Sequence, residues 1–504
     1  MANALARRRV PHAAGPLAAG MVAALGHAPL SWPFATLAGF ALAGWLFRSV
    51  STTRGAAFLG WLFGSGYFLA SIYWIVDPFM VEPDRYGWMA PFALIFMAGG
   101  LALFWGAAFM VAAWGARRLG RPHLRLMLLP LALMGAEFAR GSVFTGFPWN
   151  LPAYVWMDTP VSQMLALIGP FGLTFATVAL AIWPLAGRRI WAGGVVAAVI
   201  LAGLWGAGDL ALKKPGVPVQ NPLRLRLIQP NVPQAEKWDP ARMPAFFRRQ
   251  LELTAADRAF APDLVIWPET SVPFWLGERP DLQRLVADTA PKGATVIVGG
   301  RRMQGRRYYN ALAVLGRDGQ ITQLYDKAHL VPFGEYVPFG AFLSRFGIKG
   351  MAAEDGGGFS AGSGPALLDL GKAGKVRPLI CYEAIFPAEI TEGLERPDWL
   401  LQITNDAWFG TAGGPQQHLA QARARAIEQG LPMVRVANTG ITAVIDARGR
   451  VTARLRAQQI GKLDTTLPSA LPPTLYARYG DIPAWLLAIF LSLAWLARGW
   501  RNSH

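Results

Sequence analysis

Up to about Leu212 the chain is a series of long apolar stretches broken by short polar loops, and a last apolar stretch begins at Ile482. Eight stretches read as membrane spans: Ala14–Leu30, Phe34–Phe47, Ala56–Val76, Trp88–Gly115, Leu124–Phe138, Gln163–Ala186, Ile190–Gly208 and Ile482–Ala497. A helix needs about 20 residues to cross the hydrocarbon core, and about 17 can suffice. Phe34–Phe47 and Leu124–Phe138 are short by that measure. From Pro222 to Pro468 the pattern becomes that of a soluble domain, with short apolar runs alternating with helical periodicity. Strands are predicted at Leu223–Gln229, Asp263–Pro268, Thr295–Gly299, Ala311–Leu315, Ile321–Tyr325, Val376–Ile380, Trp399–Thr404, Met433–Ala437 and Thr442–Asp446. Helices are predicted at Ala241–Ala259, Asp281–Thr289 and Gln416–Gln429. Such alternation indicates an α/β layered fold. The expected division is a seven-span region over residues 1–212, an extramembrane domain over 213–475, and an eighth span with its tail over 476–504.

Composition agrees with a membrane protein. Hydrophobic residues are 53% of the chain and charged residues only 16%, and mean hydropathy is +0.29. A net charge of +17 raises the thought of nucleic acid. However, many of the basic residues lie in short loops, and no basic helix or aromatic-basic motif is present. The loop arginines instead set topology. With Arg7, Arg8 and Arg9 in the cytoplasm, Arg48, Arg54, Arg117, Arg118, Arg121, Arg125, Arg188, Arg189, Arg498 and Arg501 fall on that same side. The opposite short loops carry only Arg85 and Arg140. This bias places both termini inside and the Pro222–Pro468 domain outside. In a Gram-negative cell the outer side is the periplasm, and the spans lie in the inner membrane. Glu137, near the end of the fifth span, is an intramembrane acid and hence of interest. Its plainer reading is a snorkelling side chain paired with Arg140.

Candidate chemistry lies at three strand ends. Cys381 is the only cysteine, so it forms neither an intrachain disulfide nor a thiolate cluster; it is a core residue or a nucleophile. Glu269 follows a strand that ends Trp267-Pro268, and Lys327 follows Leu324-Tyr325-Asp326. Each has a bland explanation: a helix cap for Glu269, a solvated loop charge for Lys327. Sheets nevertheless hold catalytic groups at strand termini, where position is fixed and the loops stay open. The six histidines are scattered, no nucleotide fingerprint or HExxH occurs, and neither a metal nor a cofactor is expected.

Three segments together are far more specific. Trp267-Pro268-Glu269-Thr270, Tyr325-Asp326-Lys327 through His329-Leu330-Val331-Pro332-Phe333-Gly334-Glu335-Tyr336-Val337-Pro338, and Ile380-Cys381-Tyr382-Glu383 resemble the nitrilase superfamily. With eight spans around them they resemble its membrane-embedded branch, the bacterial apolipoprotein N-acyltransferases. Asn231-Val232-Pro233-Gln234 with Lys237-Trp238, and Gly146-Phe147-Pro148-Trp149, are similar to that family as well.

The resemblance implies an α-helical membrane bundle carrying an extracytoplasmic αββα sandwich that is the catalytic domain. It implies Cys381 as nucleophile, Glu269 as general base and Lys327 as oxyanion stabiliser, with Glu335 and Glu383 in support. Trp238, Tyr382, Phe339, Phe342 and Trp149 are the expected substrate contacts. The implied donor is a phospholipid, phosphatidylethanolamine for preference, and the acceptor a diacylglyceryl-apolipoprotein. The expected working unit is a monomer.

These residue types suit the chemistry. A thiol of ordinary pKa is only partly ionised at neutral pH and needs a base. A sheltered site beside Trp267 would make Glu269 a better one. The aromatic- and glycine-rich segment Phe333–Phe359 reads as a mobile lid at the bilayer surface, the alternative being a loop packed on its own domain. Trp149 would line a lateral opening or belong to an interfacial aromatic belt. Competing readings are a membrane-tethered amidase, a Cys-His hydrolase using His329 or His418, and an inactive nitrilase-like sensor.

Overall fold

The computed structural model describes residues 13–121, 124–187, 189–216, 220–257, 259–338, 358–390, 393 and 395–501. It divides into two compact units, Met1–Lys214 with Arg478–His504, and Pro215–Ala477.

The first unit is helical. Its principal helices are Ala14–Ala24, Pro33–Arg48, Thr53–Ser71, Ala90–Arg118, Arg125–Ser142, Leu165–Ile182, Ile190–Lys213 and Ile482–Arg501. Among the described residues four helical stretches are long and apolar enough to cross a membrane: Pro83–Arg118, Arg125–Thr145, Pro160–Ala186 and Ile190–Lys213. A fifth is reached if Thr53–Ser71 and Tyr73–Met80, bent by 50°, count as one. The first predicted span keeps its helix only over Ala14–Ala24; the chain then runs in turns to Ser31, where φ is 55°. Helix contacts use small residues: a Cβ on Gly20 would lie 2.0 Å from the carbonyl oxygen of Phe63, so only glycine allows that approach.

Glu137 is not a snorkelling residue. It and Arg140 form an ion pair with both side chains at 0% exposure. The Trp105 indole N–H also donates to Glu137, and Arg140 Nη1 donates to the Trp149 carbonyl oxygen at 3.0 Å. The pair is neutralised inside the bundle, so the helix runs through it. Removing one partner of a buried pair costs roughly 3–5 kcal/mol.

The second unit is a two-sheet sandwich. Its strands are β1 (Arg224–Gln229), β2 (Leu264–Ile266), β3 (Trp275–Leu276), β4 (Thr295–Gln304), β5 (Arg307–Leu315) and β6 (Ile321–Asp326). There follow β7 (Leu368–Asp369), β8 (Lys375–Ile380), β9 (Trp399–Thr404), β10 (Met433–Ala437), β11 (Thr442–Ile445), β12 (Val451–Leu455) and β13 (Gly461–Thr466). One sheet has the order β13-β1-β2-β4-β5-β6, with β3 added to β4; the other is β12-β11-β10-β9-β8-β7. In each sheet the central pairs are parallel, β1–β2–β4 and β8–β9–β10.

Strand side chains alternate between two buried layers, as a period of two requires. Leu225, Leu227, Leu264 and Ile266 meet Ile380, Leu401 and Ile403 between the sheets. Val265, Trp267, Val296 and Val298 face outward, under the partly buried Phe247 and Leu282 of helices Met243–Ala255 and Pro280–Thr289. Leu379 and Leu400 face the other way, under Leu419, Ala422 and Ala426 of helix Gly414–Gln429. This is an αββα arrangement, and burial on both faces explains the unbroken apolar runs of the inner strands.

Candidate active site

Cys381 follows β8 directly and opens the short turn Cys381–Ile385. Its φ is 52°, a left-handed conformation that costs a non-glycine residue about 1–3 kcal/mol and persists only where neighbours enforce it. Here they do. Glu383 folds back to accept from the Ile380 N–H at 2.6 Å, and Gln402 Nε2 donates to the Cys381 carbonyl oxygen at 3.0 Å.

Glu269 leaves the end of β2 through Trp267-Pro268, and the next residue, Thr270, again has positive φ, 45°. The loop crosses β4 at Gly299, where a Cβ would lie 2.4 Å from the Pro268 carbonyl and 2.7 Å from the Glu269 Cα. Lys327 follows β6, and its N–H donates to the Asn310 carbonyl on β5 at 2.8 Å.

These elements bring Glu269, Lys327 and Cys381 together. Lys327 Nζ lies 2.8 Å from Glu335 Oε2 and 3.7 Å from Glu269 Oε1. Burial alone would lower the Lys327 pKa, but Glu335, then Glu269, then Cys381 outweigh it and hold it above the ordinary lysine value. The ammonium is therefore a fixed positive charge. Burial pushes the Cys381 thiol up; the Glu269 charge adds to this and Lys327 opposes it. The resting sulfur is thus a thiol that needs a base at the moment of attack.

Glu269 is 6% exposed. The expected shelter from Trp267 is not what surrounds it: that indole packs outward on Phe247 and donates to Thr254. Asn310 Nδ2 donates to Glu269 Oε1 at 2.6 Å, and the Asn405 N–H to Oε2 at 2.7 Å. Asn310 also donates to Glu335 at 3.0 Å, so one amide spaces the two acids.

Glu383 ties two loops together. Its Oε1 accepts from the Tyr325 hydroxyl at 2.7 Å and from the Ala328 N–H at 2.7 Å. Burial raises its pKa, against the hydrogen bonds from Ile380 and Tyr325. Tyr382 is buried, edge-on to His329 and Phe386. Trp238 and Lys237 share a cavity of about 20 Å³ with Glu269, room for about one water. The Arg301 guanidinium covers the Trp238 ring at 3.9 Å. Burial brings Lys237 down to about 8, opposed by Glu269 and aided by Arg301. Phe339 and Phe342, with most of the expected lid, lie outside the described residues. Trp149 belongs to the helical unit, where it is 0% exposed and packed against Trp74 and Phe147.

The two histidines have other partners. His329 Nδ1 meets Glu389 at 2.8 Å. His418 spans Asp406 at 3.0 Å and the Cys381 carbonyl oxygen at 3.2 Å. Among the described residues no cluster of His, Cys, Asp and Glu is placed to hold a metal ion.

Residues 224–471 match the carbon-nitrogen hydrolase family, and residues 19–183 match the apolipoprotein N-acyltransferase N-terminal domain. The apolipoprotein N-acyltransferase of Rhodopseudomonas palustris is 39% identical, over 96% of this chain and 94% of its own. That of Caulobacter vibrioides is 37% identical, over 94% and 92%. The chain belongs to the apolipoprotein N-acyltransferase family. Among solved structures, a CN-hydrolase superfamily protein from Xanthomonas campestris aligns at 23% identity over 53% of this chain and 97% of its own, with a TM-score of 0.35. A score that low carries no further inference.

For an apolipoprotein N-acyltransferase the arrangement has parts suited to acyl transfer: a thiol on a strained turn, with a buried carboxylate and a buried cation whose charges both act on it. Sequence reading missed Asn310 and Asn405. Asn310 immediately precedes the apolar run Ala311–Leu315 of β5 and Asn405 immediately follows β9, polar residues at the margins of apolar runs and a signal that was present in the sequence.

Proposed function

We propose that this chain N-acylates diacylglyceryl-apolipoproteins by two successive transfers through a thioester on Cys381. In the first, Glu269 takes the thiol proton as sulfur attacks an ester carbonyl of a phospholipid, phosphatidylethanolamine for preference. Lys327 faces the tetrahedral oxyanion, and collapse expels the lysophospholipid, which recovers the proton. In the second, Glu269 deprotonates the α-ammonium of the acceptor's N-terminal cysteine. The amine attacks the thioester, the amide forms, and Cys381 is regenerated. Glu335 holds Lys327, and Glu383 holds the turn. Trp238, Tyr382, Phe339, Phe342 and Trp149 are the substrate contacts in this reading, as the family resemblance implies.

The observation that carries this reading is the buried Lys327 ammonium, 2.8 Å from Glu335 and 3.7 Å from Glu269, in the field of the Cys381 thiol. An oxyanion group of this kind contributes about 3–4 kcal/mol to the barrier. A membrane location has its own reason: drawing one acyl chain into water costs about 0.8 kcal/mol per CH₂. In this reading the protein is a monomer with eight inner-membrane spans. The spans fall in residues 1–212 and 476–504, both termini are cytoplasmic, and residues 213–475 form the periplasmic catalytic domain.

The test uses purified full-length protein with labelled phospholipid and a diacylglyceryl lipopeptide. Label is expected in a triacylated peptide. Release of the label as free fatty acid at the same rate with and without peptide would instead make the protein a hydrolase.

A further inference from the structure

One loop, the stretch between β1 and helix Met243–Ala255, grips Glu269 at two points. The first grip reaches the carboxylate. Asn405, whose N–H meets Glu269 Oε2, donates from its Nδ2 to Gln234 Oε1 at 2.7 Å. Asn438 ties the same side chain to the start of the loop, for its Nδ2 donates to Asn405 Oδ1 at 2.9 Å and to the Val232 carbonyl oxygen at 2.8 Å. The second grip reaches the backbone. Lys237 Nζ donates to Thr270 Oγ1 at 2.6 Å and lies 3.4 Å from the Glu269 carbonyl oxygen.

That second grip falls where the chain is strained. Thr270, the residue after the base, has a φ of 45°. For a β-branched residue this is a genuine outlier, and it persists only where its surroundings enforce it. The next residue is well held. The Ser271 N–H donates to the Gly299 carbonyl oxygen at 2.8 Å, and Gln250 Nε2 donates to the Ser271 carbonyl oxygen at 2.9 Å. Among the described residues, the side chain bonded to Thr270 itself is Lys237. Lys237 is 7% exposed, with its ammonium 5.5 Å from the centre of the Trp238 ring. Burial penalises that charge, Arg301 adds to the penalty and Glu269 opposes it. A lysine kept there at such a cost is poorly explained by stability.

We propose that Lys237 is a positioning residue for the base: by holding the Thr270 hydroxyl it locks the left-handed turn and keeps the Glu269 carboxylate on Asn310 and Asn405. Without it the turn relaxes towards ordinary φ, and the carboxylate moves with its backbone off those two donors. Lys237 touches no reacting atom in this role and transfers no proton.

The inference rests on Glu269 as the base, and its test reads the turn apart from the base. Full-length protein in detergent is mixed with labelled phosphatidylethanolamine, and acylation of Cys381 is followed in a single turnover. The saturating rate and the half-saturating donor level are measured separately. Lys237→Met keeps the bulk and removes the donor. Its saturating rate is expected to fall by roughly ten- to a hundredfold, the scale of a misplaced catalytic group, with the half-saturating level unchanged. Thr270→Val and Thr270→Gly both lose the hydroxyl, but only the first keeps the strain, since glycine adopts positive φ freely. Thr270→Val is expected to be as slow as Lys237→Met, and Thr270→Gly to stay within a few-fold of the parent. Adding Lys237→Met to Thr270→Gly is expected to cost little more, because both act on one turn. Should Lys237→Met fail to fold, the two Thr270 variants decide alone. Equal losses in those two variants overturn the proposal. So does the same fold-loss from Lys237→Met in either background, a parental rate in Lys237→Met, or a raised half-saturating level with the rate intact. Glu269→Gln is the separate control: if it acylates Cys381 at the parental rate, Glu269 is not the base, and that reading fails whatever the Thr270 variants do.

Discussion

Lys327 Nζ sits 2.8 Å from Glu335 Oε2, both side chains nearly fully buried. The closer acid is thus not Glu269 but one from the loop after β6. Glu335 neutralises the ammonium and keeps it off Glu269, which stays free to accept a proton. Glu335→Gln preserves shape and removes that charge, so Lys327 should lean onto Glu269 and tie up the base. Single-turnover acylation by phospholipid should fall about a hundredfold, a loss comparable to removing one oxyanion donor. A rate near that of the parent would leave Glu335 with no role in positioning.

Glu269→Gln separates this mechanism from a Cys-His one. With Glu269 as the base, the rate of lipopeptide acylation should drop by about a thousandfold or more. His418 meets the Cys381 backbone carbonyl, so it is placed to support the turn. Substantial residual turnover in Glu269→Gln would point back to a histidine base.

The Tyr325–Glu383 bond predicts a contrast in stability. Tyr325→Phe removes one donor and should cost about 1 kcal/mol. Glu383→Ala strands the N–H groups of Ala328, His329 and Ile380 and should cost several-fold more, roughly 3 kcal/mol or above. Thermal unfolding of the purified variants in one detergent reads the difference; equal shifts would mean that the carboxylate is not what joins the loops.

Much of this site was legible because its chemistry lies where apolar runs stop. Glu269, Lys327 and Cys381 each follow a strand whose pattern announces it. Glu335 and Glu383 came only through resemblance to a family, since their partners, Lys327 and Asn310 for the first and Tyr325 with the Ile380 and Ala328 N–H groups for the second, are set by tertiary contacts that no local pattern reveals. The strands β12 and β13 were not read at all. β13 is an edge strand bearing Lys462 and Asp464, and edges carry charge in place of the apolar alternation that marks inner strands. Arg226 shows the same difficulty from the other side. It is a charged residue within an apolar strand, and it becomes intelligible only once β13 returns to put Asp464 at 2.7 Å. In the helical unit, the buried Glu137–Arg140 pair concealed how far its helix continues.

Lys237 predicts a pH dependence of known sign. Folded, its pKa is lowered from 10.5 to about 8 by burial, with Arg301 adding to the effect and Glu269 opposing it. Between those values the unfolded chain binds the proton and the folded chain does not, so stability rises with pH across the window. Below about 8 the penalty of the buried ammonium is present in full. Lys237→Met removes this dependence. The parent's unfolding temperature relative to the variant should therefore climb from just below pH 8 to pH 10.5, a change of at most ~3 kcal/mol. A constant difference across that range would mean that Lys237 stays charged.

The most direct test of the central claim is intact-protein mass spectrometry after incubation with phospholipid alone. A single added acyl mass that maps to Cys381, survives until a lipopeptide is supplied, and is missing in Glu269→Gln and Lys327→Met is the predicted result. An unmodified Cys381 in protein that still acylates the lipopeptide would contradict it.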